Sequence, residues 1–180
     1  MHGCSQPLKT NREAIAREKP LRAQFFNDGG PPQATRLISD GVQFDEIKAM
    51  PVRDIADENA TLWLWTTNAH LSVAFEVVAA WGFEYKTLLT WVKDRMGTGD
   101  WLRGQTEHCL LGARGKPVFL HGNHDTALGA ARQEHSRKPD EFYLMVEQVC
   151  PGSRVELFSR QERDGWQAFG DQVGTFTKSP

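Results

Sequence analysis

Three cysteines in 180 residues, Cys4, Cys109 and Cys150, stand far apart and in no CxxC spacing. That number and spacing argue against a disulfide framework or a zinc ribbon and fit a reducing compartment, so a cytoplasmic location is expected. Charge of one sign is also missing: 21 Lys and Arg stand against 23 Asp and Glu, a net charge of -2. No global basic field advertises nucleic acid, although a local patch would vanish in that sum. No run reaches the roughly 18 apolar residues of a membrane span. The first thirty residues are charged and polar, unlike the apolar core of a secretory signal. Internal repeats and low-complexity tracts are absent too, which removes the repeat architectures. What is present, 39% hydrophobic and 24% charged residues, suits one compact domain with a buried core.

Residues 1–40 differ from the rest. NREAIAREKPLR is highly charged and NDGGPPQAT is rich in breakers, so an irregular or helical lead-in is expected, followed by a main domain over 41–175 and a tail over 176–180. Asp45 to Met50 reads as a short helix that Pro51 ends. Leu62 to Trp65 is apolar on both faces, with two tryptophans on one side and two leucines on the other. That pattern predicts a strand covered by helices on both sides. In LSVAFEVVAAWGF, Leu71, Phe75, Val78 and Ala79 form a helical stripe, and Gly82 stands where a left-handed cap would be. YKTLLTWVK and EHCLLGARG read as strands joined by the loop DRMGTGDWLRGQ, and Val118 to Arg132 as irregular. SRKPDEFYLMVEQVC opens a helix with Pro139 near its first position and Asp140 and Glu141 in its first turn, and VELF is a short buried strand. This order is α/β alternation.

In such sheets ligands gather at the carboxyl ends of strands, where loop amides and helix N-termini point outward. Thr66-Thr67-Asn68 and Ser159-Arg160 each follow a strand. Asn68 suits two tasks: capping the helix that opens near His70, or meeting a ligand at the cleft. His121, His124 and Asp125 in HGNHD lack a fourth ligand and a regular frame, so no metal is expected.

The blocks WLWTTN, AWGFEYKTLLTWVK, GDWLRGQTEHCLLGARGKP, EHSRKPDEFY, PGSRVELFSR and GWQAFGDQV, in this order and spacing, resemble the adenine-N6 methyltransferases related to the seventy-kilodalton subunit of the messenger-RNA enzyme. The resemblance covers about residues 42–173. It implies a Rossmann-like three-layer fold in which the catalytic motif precedes the cofactor-binding strand, with S-adenosylmethionine as cofactor. It also implies nucleic acid as substrate, DNA ahead of RNA, and a homodimer or a heterodimer with a related subunit. Carried over block by block, the cofactor site falls on Lys138, Phe158, Arg160, Asp171 and Gln172. A lysine can pair with the cofactor's carboxylate, while arginine and amide or acid groups bond its hydroxyls. Asp171 stands where the family usually has asparagine, and it accepts but no longer donates. Read without the resemblance, Lys138 is a solvated residue flanking a helix, Arg160 a surface ion-pair partner and Gln172 a tail residue.

The family's hallmark is Asp-Pro-Pro-Trp just after a buried strand. A carboxylate and a backbone carbonyl there accept the hydrogens of the poorly nucleophilic exocyclic nitrogen, while the aromatic residue stacks on the flipped base. This chain departs from it: counting back from DEIKAMPV reaches Glu18-Lys19-Pro20-Leu21, with a longer acid, a lysine for a proline and an aliphatic for an indole. Lys93, Arg95 and Arg103 surround the glycine-containing loop, where family members carry a basic surface, and together with Asn68 they are the substrate-contact candidates. Two readings follow. One is an adenine-N6 methyltransferase with Glu18 and Pro20 as altered acceptors; the other is a non-catalytic relative that binds nucleic acid or a catalytic partner.

Overall fold

The computed structural model describes residues 22–27, 44–97, 101–120, 123–134, 137–170 and 173–174, the first of these stretches by backbone alone. Among these residues seven strands form one sheet: β1 (Arg22–Asn27), β2 (Ala60–Thr66), β3 (Glu84–Lys93), β4 (Thr106–Arg114), β5 (Ala127–Ala130), β6 (Ser153–Leu157) and β7 (Trp166–Phe169), in the spatial order β5-β3-β4-β2-β1-β6-β7. The described residues also form four α-helices: α1 (Phe44–Ala49), α2 (Val52–Ile55), α3 (Leu71–Ala80) and α4 (Asp140–Val149).

The two-faced strand is realised as expected. Every residue of β2 is buried. Its Leu62 and Leu64 join Leu110, Val155 and Leu157 under Ile47, Val52, Ala74, Val77 and Val78 of the first three helices. Trp63 and Trp65 join Leu89, Trp91, Cys109 and Leu111 under Phe142, Tyr143, Val146 and Val149 of α4. One sheet therefore separates two hydrophobic cores, and the fold is mixed α/β with helices on both faces. Side-chain alternation along β2 assigns each residue to its core. Among the described residues no helix is long and apolar enough to cross a membrane.

Four expectations need correction. The buried face of α3 is Ala74, Val77 and Val78, whereas Phe75 and Ala79 are exposed. Helix and sheet approach closely where Gly112 of β4 lies, since a Cβ there would stand 3.3 Å from Val78 Cγ1. Phe75 instead meets Tyr85 edge-on at 5.0 Å on the rim. The stretch Val118 to Arg132 is not wholly irregular, for Ala127–Ala130 pairs in parallel with β3. Trp166–Phe169, read only as a motif, is the edge strand β7 beside β6. And the lead-in contains β1, which is neither irregular nor helical: its backbone is paired on both sides, to β2 and β6. A slot with a ladder on each flank satisfies every amide of a short segment and overrides weak local propensity.

Strand polarity decides which strand ends meet. β1 is antiparallel to both neighbours, so β2 and β6 run the same way; β4 is antiparallel to β2 and to β3. The carboxyl ends of β2, β3 and β6 and the amino ends of β4 and β1 thus share one edge. Gly82 closes α3 with φ +81°, the left-handed cap expected. Gly115 ends β4 at φ +63°, and a Cβ there would collide with the backbone oxygen of Glu58 and with Asn59 Oδ1. Gly115→Ala is expected to cost about 1–3 kcal/mol of stability in urea unfolding, because the conformation and the space both exclude a side chain.

Candidate functional site

The shared edge collects polar side chains that the chain order keeps apart. Glu107, second in β4, is buried, and two lysines reach it from different elements. Lys93, last in β3, donates to Oε1 at 2.6 Å; Lys138, one residue before Pro139 at the start of α4, donates to Oε2. The ammonium of Lys138 lies 4.8 Å from the ring centroid of Trp65, and that of Lys93 4.7 Å from the ring of Trp91. The tryptophans thus form a cation-binding floor beneath the ion pairs. Burial pushes the Glu107 carboxyl up, but the adjacent charge and hydrogen bond of Lys138, aided by Lys93, outweigh it and bring the pKa down to about 2. Glu107 is a carboxylate throughout the neutral range, and the trio carries one positive charge in excess.

Beside it lies a neutral chain of hydrogen bonds. His108 Nε2 meets Asn68 Oδ1 at 2.5 Å, His108 Nδ1 meets Thr90 Oγ1 at 3.1 Å, and Asn68 Nδ2 donates to Thr106 Oγ1 at 3.3 Å. Burial lowers the His108 pKa, partly offset by the charge of Glu107. A neutral imidazole that donates from Nε2 to the amide oxygen accepts from the threonine at Nδ1. The capping alternative for Asn68 is not realised, because its side chain bonds β4 and neither helical segment that follows β2 has a side-chain cap.

At the end of β6 the backbone turns sharply. Phe158 sits at φ 59°, unusual for a residue with a side chain, and its ring stays in the same core as Leu157 instead of alternating to the other face. Ser159 Oγ donates to Glu156 Oε2 at 3.1 Å, and Tyr143 donates to Glu156 Oε1 at 2.9 Å. Gly170 follows β7 and packs on this turn, where a Cβ would stand 2.7 Å from the Ser159 oxygen. Asp140 anchors the segment bearing Lys138 by meeting Arg137 at 3.6 Å and Arg163, whose guanidinium stacks 4.0 Å above Tyr143.

Of the candidates named from sequence, Asn68, Lys93, Lys138, Phe158 and Arg160 come to this one edge. Lys138 is not a solvated helix flank, since it is buried. Arg95 and Arg103 belong to the β3–β4 loop just outside: Arg95 is exposed beside Asp94, and Arg103 Nε donates to the Gly97 carbonyl at 3.0 Å. Glu18, Pro20 and Leu21, and likewise Asp171 and Gln172, lie outside the described residues. Sequence reasoning passed over Glu107, His108, Thr90 and Thr106. An acid and a histidine at the head of the apolar strand EHCLLGARG were the available signal, because a charge there needs a partner. Among the described residues no three metal-binding side chains cluster.

Comparison with known proteins adds a family model, MT-A70, which matches residues 19–172. An N(6)-adenosine-methyltransferase MT-A70-like protein of Arabidopsis thaliana is 35% identical over 140 residues, which are 72% of this chain and 20% of that protein. The N(6)-adenosine-methyltransferase catalytic subunit METTL3 of Homo sapiens is 34% identical over 141 residues, 72% of this chain and 24% of that protein. The type II methyltransferase M.MunI of Mycoplasma sp is 29% identical over 136 residues, 73% of this chain and 58% of that protein. The chain thus spans only about a fifth to a quarter of the length of these eukaryotic relatives.

Proposed function

Because the chain belongs to the MT-A70 family, we propose that it is an S-adenosylmethionine-dependent methyltransferase domain directed at adenine N6 in nucleic acid, DNA ahead of RNA, on a Rossmann-like sheet of permuted motif order. The observation that carries this reading is the convergence of Lys138, Lys93, Asn68 and the β6 turn on one edge of the sheet. The residues present fit the cofactor. The ammonium groups of Lys138 and Lys93 suit its carboxylate, and Arg160 follows the β6 turn where a ribose would be bonded. Lys138, Phe158 and Arg160 would hold it, joined by Asp171 and Gln172. When bound, S-adenosylmethionine supplies an electrophilic methyl group. Glu107 contributes by holding both lysines in place, and Asn68 by presenting its amide at the rim of the cleft.

A second reading, a non-catalytic relative that binds nucleic acid or pairs with a related subunit, is favoured by the sequence of the block before β1. Glu18 to Leu21 carry one proline and no aromatic residue, where the family's acceptor motif has two prolines and a tryptophan. Titration of S-adenosylmethionine by calorimetry separates the cofactor question from the chemistry. Saturable binding that Lys138→Ala or Arg160→Ala weakens at least about tenfold is the expected result, the loss of one charged hydrogen bond. A folded wild-type sample that binds nothing would remove the cofactor half of the proposal. With binding established, methyl transfer to DNA and RNA decides between the two readings.

A further inference from the structure

The β3–β4 loop has a feature that the cofactor site does not use. Its neck is tied by four hydrogen bonds: Lys93 N to Gln105 O at 2.9 Å, Gln105 Nε2 to Lys93 O at 2.7 Å, Gly97 N to Gly104 O at 2.7 Å and Arg103 Nε to Gly97 O at 3.0 Å. From this neck project Trp101, 98% exposed, and Leu102, 88% exposed. The other five tryptophans are all buried. A fully exposed indole beside a hydrogen-bonded neck offers an aromatic surface that a flat partner can cover. In the chain Arg95 and Arg103 flank Trp101, Arg95 beside Asp94 and Arg103 bonded to the Gly97 carbonyl, and the neck ends at Lys93 on the candidate edge.

We propose that Trp101 stacks on a nucleobase neighbouring the target adenine, with Leu102 wedged beside it and Arg95 and Arg103 meeting the flanking phosphates. The proposal rests on the methyltransferase reading and names how that site grips its substrate. Removing a base from its stack leaves its neighbours an uncovered face, and an indole or an aliphatic wedge covers such a face without reading sequence. Arginines beside an aromatic platform are the arrangement that tracks a single strand. A base is favoured over a protein groove by the two flanking cations and by the loop's continuity with the polar edge.

The test uses the full chain and a short single-stranded oligothymidylate carrying one central adenine, together with its ribonucleotide counterpart. Because Trp101 is the exposed tryptophan, the difference between wild-type and Trp101→Phe emission isolates its signal. That signal is expected to be quenched on titration, while Trp101→Ala weakens binding about tenfold and Trp101→Phe retains most of the affinity. Equal affinity of wild type and Trp101→Ala overturns the proposal. So does a dimer lost in Trp101→Ala with oligonucleotide affinity unchanged, which would assign the loop to a protein contact. Absence of binding by the wild type overturns it as well, and calorimetry with S-adenosylmethionine on the same sample shows whether the methyltransferase reading fails with it.

Discussion

Glu107→Gln is expected to lower stability by about 3 kcal/mol at pH 7, the low end of the loss when one partner of a buried ion pair is removed. The reason is geometric. Gln keeps the shape and one acceptor, but it removes the carboxylate that pairs with the buried Lys138 and the half-buried Lys93. Replacing the whole trio by apolar groups would cost far less, since the desolvation penalty would disappear with the charges. The pH dependence supplies a second, independent signature. The folded pKa of Glu107, about 2, lies below the usual 4.5, so its contribution is fully present above about pH 4.5 and is lost as pH falls through 2. A shift of that size corresponds to about 3 kcal/mol, in line with the mutational figure. Urea unfolding of wild type and Glu107→Gln from neutral to acid pH reads both effects. The wild type should lose stability over that acid window, and the variant should lack this part of the slope. Identical curves would mean that the trio is not formed in solution.

Trp65→Ala is the other large effect, at about 4 kcal/mol, as for other buried aromatic truncations. Trp65 is 1% exposed and packs edge-on against Phe142 at 4.8 Å and Trp91 at 6.3 Å. Its ring also floors Lys138, so the same change would loosen the ion pair at the candidate site. Its indole nitrogen has no hydrogen-bond partner among the described residues. Trp65→Phe therefore gives up volume but no hydrogen bond, and its cost should be well below that of alanine. Trp101→Ala, on the exposed loop, should stay within about 0.5 kcal/mol of wild type. Chemical denaturation of the three variants checks the order. A Trp101→Ala loss as large as that of Trp65→Ala would contradict the exposed placement of the loop.

Much of the fold was legible because local pattern and tertiary role agree. LWLW alternates between two cores, Gly82 sits at a positive φ, and Pro139 with Asp140 and Glu141 opens α4. On α3 the stripe through Phe75 and Ala79 was the less accurate reading, since the helix buries Ala74, Val77 and Val78 instead. The short edge strands β5 and β7 carry too few residues to show a period, and β1 takes its conformation from two neighbours rather than from its own composition.

The candidate site divides along the same line. Its residue types near the ends of strands, Asn68, Lys93, Lys138 and Arg160, can be picked out one by one from their blocks, as can the departure at Glu18 to Leu21. Composition and spacing alone determined a mixed α/β chain with few cysteines and balanced charge. Tertiary structure decided that Lys138 is neutralised by Glu107, 31 residues away, that His108 and not a helix amide holds Asn68, and that β1 runs against its neighbours. Each of these depends on pairing between segments far apart in the chain. Ion pairing, tautomer choice and strand polarity are set by what the folded sheet brings within a few ångströms, and one-dimensional spacing carries no record of it.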